Sequence, residues 1–170
     1  MKQDTMIGSF DCTSKNFFSK IYLQFICKSG KLAWQKFYHG ELRVWLNQKY
    51  LAAIWIGNRY TRALVSFGPN IEALAGKVKS FSNNTCGGSL YKSEGWEIAI
   101  STFSNHRGCE TIADIDNIKD TLGLCVKAAE DQSAVAYCCR MDHMGNWFAD
   151  VRLQRGDIVH SNIWDIACWY

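Results

Sequence analysis

Two cysteines in succession, Cys138 and Cys139, sit inside the run Ala-Val-Ala-Tyr-Cys-Cys-Arg. Side chains alternate between the two faces of a strand, so neighbours in such a run point in opposite directions. The pair is therefore badly placed to bridge to itself and well placed to tie one strand to two different layers. Six further cysteines, Cys12, Cys27, Cys86, Cys109, Cys125 and Cys168, are spread over the chain. An even number at such spacings predicts a disulfide framework and an oxidising compartment. All eight are disulfide candidates, and the sequence leaves their pairing open. The competing reading is a reduced protein whose cysteines act as small buried hydrophobes.

A chain of 170 residues with 48% apolar residues has ample material for one core, so bridges reinforce that core rather than replace it. The formal charge of +3 conceals an asymmetry. Residues 1–68 carry ten Lys or Arg against three acids, whereas residues 69–170 carry nine against thirteen. The reading divides the chain accordingly into a basic, aromatic β-meander half, 1–68, and a cysteine-rich α/β half, 69–170, within one compact unit. The basic half can face an anionic partner or dock on the acidic half. The first ten residues, with Lys2 and Asp4, lack the apolar run of a secretory signal. A secreted protein is expected nonetheless, with its signal absent from this chain; the alternative is cytoplasmic.

Residues 21–27 read as a strand rich in aromatic and β-branched residues. Leu42, Val44 and Leu46 alternate with Arg43 and Trp45. After Asn47-Gln48, the stretch 50–56 is apolar as in a central strand, and Gly57-Asn58 signals a hairpin into residues 60–67. Asn70 is placed to cap a helix in which Ile71, Leu74, Ala75 and Val78 recur at helical spacing. The second half reads strand, helix, strand, strand. Trp96, Ile98 and Ile100 share a face. Ile112, Ile115, Ile118, Leu122, Cys125, Val126 and Ala129 form the apolar stripe of a helix, capped by Thr111 or Asp114. Residues 134–140 and 147–153 form a hairpin in which Phe148, Asp150 and Arg152 share one face. The apolar tail from Ile163 is expected to dock, pinned by any bridge at Cys168. Alternating strands and amphipathic helices predict an α+β fold: a mostly antiparallel sheet packed with two helices as a disulfide-stabilised sandwich.

Several anchors of the second half occur together: Cys86-Gly-Gly, Gly108-Cys109-Glu-Thr opening the long helix, Tyr137-Cys138-Cys139-Arg-Met, and Gly145-Asn-Trp147 opening the last strand. Over residues ~70–155 this order resembles fungal small secreted cysteine-rich proteins, including those with a killer-toxin-like domain. The resemblance implies secretion, disulfides and an α/β sandwich, and it carries no catalytic residues.

Other chemistry is weighed against structural explanations. His106-x-x-Cys109 and Cys138-Cys139-x-x-x-His143 offer thiolate and imidazole ligands, yet no C-x₂-C pair occurs, and disulfides account for the cysteines better than a metal. Cys109 beside His106, at the start of a helix, has the elements of an activated nucleophile, which a bridge would abolish. No phosphate-binding glycine loop or G-x-S-x-G elbow is present. No enzyme, cofactor or metal is expected. Lys28, Lys31, Trp34, Lys36, Phe37, Tyr38 and Arg43 have the basic, aromatic composition of a nucleic-acid binder. The same residues suit an anionic membrane surface, which is preferred here together with a cell-surface receptor. The expected function is a secreted, disulfide-stabilised, toxin- or effector-like protein that binds a cell surface, with Arg43, Arg59 and Arg62 as a binding surface. The alternative is a reduced intracellular interaction or immunity-type protein.

Overall fold

The computed structural model of the chain describes residues 3–10, 17–18, 23–26, 30–56, 59–62, 69–82, 86–105, 108–111, 113–132, 134–156, 159 and 161–168, with the backbone alone in strands before residue 36 and over 49–62. The disulfide candidates Cys12 and Cys27, the Gly57-Asn58 turn and His106 lie outside the described residues.

Among the described residues ten strands pair antiparallel: β1 (Gln3–Phe10), β2 (Phe17–Phe18), β3 (Leu23–Ile26), β4 (Gly30–His39), β5 (Leu42–Ile56), β6 (Arg59–Arg62), β7 (Gly88–Ser93), β8 (Trp96–Ser104), β9 (Ala134–His143) and β10 (Trp147–Arg155). The main path runs β1-β4-β5-β9-β10-β8-β7, and six of these strands, β4 to β7 along that path, carry described side chains. Helices α1 (Ile71–Phe81) and α2 (Ile115–Asp131) lie against one sheet face and pack on each other, α1 over β8 and α2 over β4, β5 and β9. The α+β fold with an antiparallel sheet and two helices agrees with the sequence pattern.

Register explains the layering. Leu46, Cys139, Val151 and Ile100 form one row across β5, β9, β10 and β8; Tyr137, Leu153 and Ile98 form the next. These residues are buried beneath Leu74, Ala75 and Val78 of α1 and Ile118, Leu122, Cys125 and Val126 of α2. Each large aliphatic side chain buried this way contributes roughly 1.5–3 kcal/mol. The helix starts follow the capping rule: the Asn70 and Asp114 side chains accept from the Ala73 and Asn117 N–H groups. Asp114, not Thr111, is therefore the α2 cap.

The adjacent cysteines diverge as strand geometry requires. Cys139, on the helix side, bridges Cys125 of α2; Cys138, on the far side, bridges Cys168 of the C-terminal tail. A third bridge joins Cys86 to Cys109. Among the described residues no cysteine is free. Closing the fourteen-residue separation between Cys125 and Cys139 removes chain entropy worth about 3 kcal/mol. The tail docks: Ile163 and Ile166 are buried, and Arg152 Nε donates to the Ile166 carbonyl.

Three local features depart from the sequence pattern. β5 runs unbroken through Asn47-Gln48, with register shifts only near Tyr50. Both polar side chains have partners there: Asn47 Nδ2 donates to the Ala167 carbonyl, and Gln48 Nε2 to Gln132 Oε1. The basic stretch 30–39 is a strand, and β7 precedes β8 through Glu94-Gly95, both at positive φ (52° and 82°), where Gly95 relieves the strain of the hairpin turn. Cys109 lies in the loop before α2 rather than at the helix N-terminus, and its sulfur is bridged, which removes it as a nucleophile.

The last turn of α2 carries Glu130 and Asp131 and no basic residue, against the helix dipole. Burial, then the adjacent Asp131 charge, push the Glu130 carboxyl above its ordinary value. A raised folded-state value means the folded chain holds that proton more tightly, so stability falls as pH rises through the titration. Glu130→Gln is expected to unfold at higher urea concentration than the parent at neutral pH. The difference should vanish below the ordinary glutamate value of 4.5, which denaturation curves at two pH values will read.

Candidate functional site

The sheet face opposite the helices is the distinctive surface. Alternation places Lys36 and Tyr38 of β4, Arg43, Trp45 and Asn47 of β5, and Cys138, Arg140 and Asp142 of β9 on it. Phe148, Asp150 and Arg152 of β10 and Phe103 of β8 continue the same face. Among the described residues the tail covers its Asn47–Cys138–Arg152 portion, through the Cys138–Cys168 bridge and the carbonyls of Ile166 and Ala167, and its short 3₁₀ turn packs on β10 and β8. Among the described residues no element covers the rest, where Lys36, Tyr38, Arg43, Trp45, Arg140, Phe103 and Phe148 are all half-buried.

Cations and rings interleave across this surface. Lys36 Nζ lies 4.9 Å from the Tyr38 ring and 5.1 Å from Trp45; the Arg43 guanidinium lies 5.2 Å from Trp45, two residues along the same strand. The Arg140 guanidinium is 5.1 Å from Phe103, which stacks on Phe148 at 5.1 Å between centroids with 10° between planes. Such cation–π contacts hold charge and ring as one flat unit. Two buried carboxylates fix the guanidinium planes from below. Arg43 Nε and Nη2 donate to Asp142 at 3.1 and 2.8 Å, and Arg140 Nε and Nη2 donate to Asp150 at 2.6 and 2.8 Å. Asp142 and Asp150 are each only 3% exposed. Bidentate pairing of this kind orients an arginine as no lysine could be oriented. Beside them burial lowers the Arg152 guanidinium from its ordinary value, Asp150 opposing that shift and Arg140 adding to it. Trp164, 47% exposed, lies 5.3 Å from Arg152, and Leu90, 52% exposed, extends the apolar part of the face on β7.

A second polar cluster sits on the helix side, at the end of the sheet. A cavity of about 270 Å³ is lined by His39, Gly40, Glu41, Leu42, Ala113, Asn117 and His143. His143 Nε2 lies 3.0 Å from Glu41 Oε2, and its Nδ1 lies 3.1 Å from the Thr111 hydroxyl, which also accepts from the Ala113 N–H. The loop carrying Thr111 is held by Lys79 Nζ, which donates to the carbonyls of Thr111 and Ala113, and by the Cys86–Cys109 bridge. A hydroxyl, an imidazole and a carboxylate in series is the order of a hydrolase triad, but the accessibilities are inverted. Thr111 is buried, whereas Glu41 is 63% exposed, so the hydroxyl that would attack is the group a substrate cannot reach. The string anchors the loop.

The sequence-derived candidates fall in different places. Arg43 belongs to the open face and is spent in its pair with Asp142. Arg59 and Arg62 lie in β6, opposite Ile56 and Ala53 of β5. Arg43 and Ala53 are ten residues apart on one strand, roughly 33 Å along it, so the three arginines do not share one row. Of the basic and aromatic run, Lys36 and Tyr38 face outward while Phe37 enters the core. Sequence reasoning placed Phe148, Asp150 and Arg152 on one face but not Arg140, Phe103 or the Glu41–His143 pair; period-2 alternation reaches the first two, whereas the last joins residues 102 apart. Among the described residues one group of three metal-type donors stands within 4.8 Å, Cys138, Asp150 and Cys168, and its two sulfurs are spent in a disulfide.

Comparison with known proteins adds a family to this geometry. The model of a family of unknown function, DUF6736, matches residues 46–164, from the middle of β5 to the short 3₁₀ turn at Ile163–Asp165. The chain belongs to this family. The DUF6736 segment holds the two helices, the Cys86–Cys109 and Cys125–Cys139 bridges and the Arg140–Asp150 pair. The chain is also similar to the uncharacterized protein YER076C of Saccharomyces cerevisiae, with 26% identity over 76 residues. That match covers 44% of this chain and 25% of the yeast protein, so the chain spans about a quarter of the length of that relative. No solved structure matches.

The buried carboxylates make the open face testable through stability. Arg140→Met strands the Asp150 charge in the sheet and is expected to cost about 3 kcal/mol in urea unfolding. Arg140→Met combined with Asp150→Leu should recover most of that loss; a double variant as unstable as the sum of the two single ones would refute the pairing.

Proposed function

We propose that this DUF6736 protein is a secreted, disulfide-stabilised binding protein of toxin- or effector-like action. It attaches to an anionic cell surface through the open face of its sheet. The observation that carries the reading is the patch of Lys36, Tyr38, Arg43, Trp45, Arg140, Phe103 and Phe148, uncovered among the described residues, two adjacent cross-strand rows in which rings and cations are neighbours. Aromatic side chains with basic neighbours suit a membrane interface, rings at the headgroup level and cations on phosphate. Trp164 and Leu90 add apolar area on the same side. The cysteine bridges favour an oxidising compartment over the reduced intracellular alternative, because bonds buried as deeply as Cys125–Cys139 form and persist where thiols are not kept reduced.

The action proposed is attachment without a catalytic step. Affinity then comes from desolvated ring area plus charge, and it should weaken as salt screens the charge, over a Debye length of about 8 Å at physiological ionic strength. Co-sedimentation with vesicles containing phosphatidylserine, against vesicles of phosphatidylcholine alone, tests this directly. Salt-sensitive binding to the first, lost in Lys36→Glu and reduced in Trp45→Ala while circular dichroism stays unchanged, is the expected result. Equal partitioning to both vesicles, or none to either, would overturn the lipid-surface reading. Retained binding to intact cells in the second case would point to a protein receptor.

A further inference from the structure

We infer that the cavity at the end of the sheet is a divalent transition-metal site built by His143, Glu41 and His39. This inference is independent of the open face, which lies on the other side of the sheet.

Two donors bound to one ion at about 2.0–2.2 Å stand roughly 3.0–3.5 Å apart at octahedral or tetrahedral angles. His143 Nε2 and Glu41 Oε2 are 3.0 Å apart at the cavity wall. The other ring nitrogen of His143 rests on the Thr111 hydroxyl at 3.1 Å. Metal-ligating histidines almost always have such an outer partner, which fixes ring orientation and tautomer. A hydroxyl is suited to the task because it can donate to Nδ1 or accept from it. For an ion bound at Nε2, that nitrogen presents its lone pair and the ring proton sits on Nδ1, donating to the Thr111 hydroxyl.

The third donor lies on the same cavity. His39 and Leu42 are register partners on the helix side of the β4–β5 hairpin, with Gly40 and Glu41 between them. Positive φ at Gly40 (58°) makes the turn tight enough to put His39 and Glu41 on one cavity wall. His39 Nε2 stands 3.6 Å from Asp120 of α2, so its ring is turned toward that carboxylate rather than into the Glu41–His143 pair. It is 39% exposed at the hairpin end, and to complete the site it swings from Asp120 toward the pair, since the three donors do not stand within 4.8 Å of one another. Two imidazoles and one carboxylate are a borderline donor set that suits zinc and its first-row neighbours rather than calcium or magnesium. The remaining cavity volume leaves room for water in the open positions.

Titration of the disulfide-bonded full chain with zinc, followed by calorimetry in a non-chelating buffer, tests the site, and cobalt absorbance reports its coordination. One equivalent is expected to bind saturably and to raise Tm by mass action. His39→Ala and Glu41→Gln alter exposed side chains and should each weaken binding about tenfold or more, with the fold unchanged by circular dichroism. Absence of saturable binding would overturn the inference. So would one equivalent bound with undiminished affinity by either variant, since the ion would then sit elsewhere.

Discussion

The opposition of Cys138 and Cys139 on one strand governs how this protein is assembled. β9 lies at the centre of the sheet, paired to β5 on one side and β10 on the other. Because consecutive side chains leave a strand on opposite faces, its two sulfurs must serve two layers. One is bonded to α2 and fixes the helical layer over the core; the other is bonded to the tail and fixes what covers the far face. A single dipeptide thus sets the order of three layers. Among the described residues nothing else lies over the upper part of the far face.

That openness shapes the chemistry of the far face. A sheet face without a covering layer normally turns polar, yet this one keeps Trp45, Phe103 and Phe148 half-buried among cations. The buried carboxylates Asp142 and Asp150 reconcile the two. Each holds a guanidinium flat against a ring, satisfying its own charge while keeping the arginine from extending into solvent. Removing a charge from below would therefore disturb the surface above, and stability and binding are coupled through the same pairs. The helix side has a different logic. There the core runs out toward the β4–β5 hairpin, and the last residue of β9, His143, meets polar groups from the hairpin and from the loop before α2.

Much of the architecture was legible in the chain because it rests on local periodicity. The α1 stripe, the α2 stripe from Ile118 to Ala129, the Asn70 cap and the β9–β10 hairpin follow from spacing within a dozen residues, whereas Ile115, which the same spacing put on the α2 stripe, is 46% exposed and Ile112 lies outside the described residues. Strand alternation likewise put Phe148, Asp150 and Arg152 on one face. The continuity of β5 was not legible, since Asn47 and Gln48 find their partners in Ala167 and Gln132, at the other end of the sequence. The same distance hid the site residues. Nothing local joins Glu41 to His143 or Arg43 to Asp142; tertiary pairing of β5 with β9 brings them together. Cys109 shows the converse error: its proximity to a helix in sequence suggested activation, and its bond to Cys86 gives it a structural role.

The claim on which the rest depends is the divergence of the two central sulfurs, and stepwise reduction with alkylation at each step, read by peptide mass spectrometry, tests it most directly. The account predicts that partly reduced species pair Cys139 with Cys125 and Cys138 with Cys168. Exchanged partners, Cys138 with Cys125 and Cys139 with Cys168, would reverse the faces of β9 and contradict both the core and the open surface. Free thiols at both positions in the native protein would remove the layer-tying role altogether.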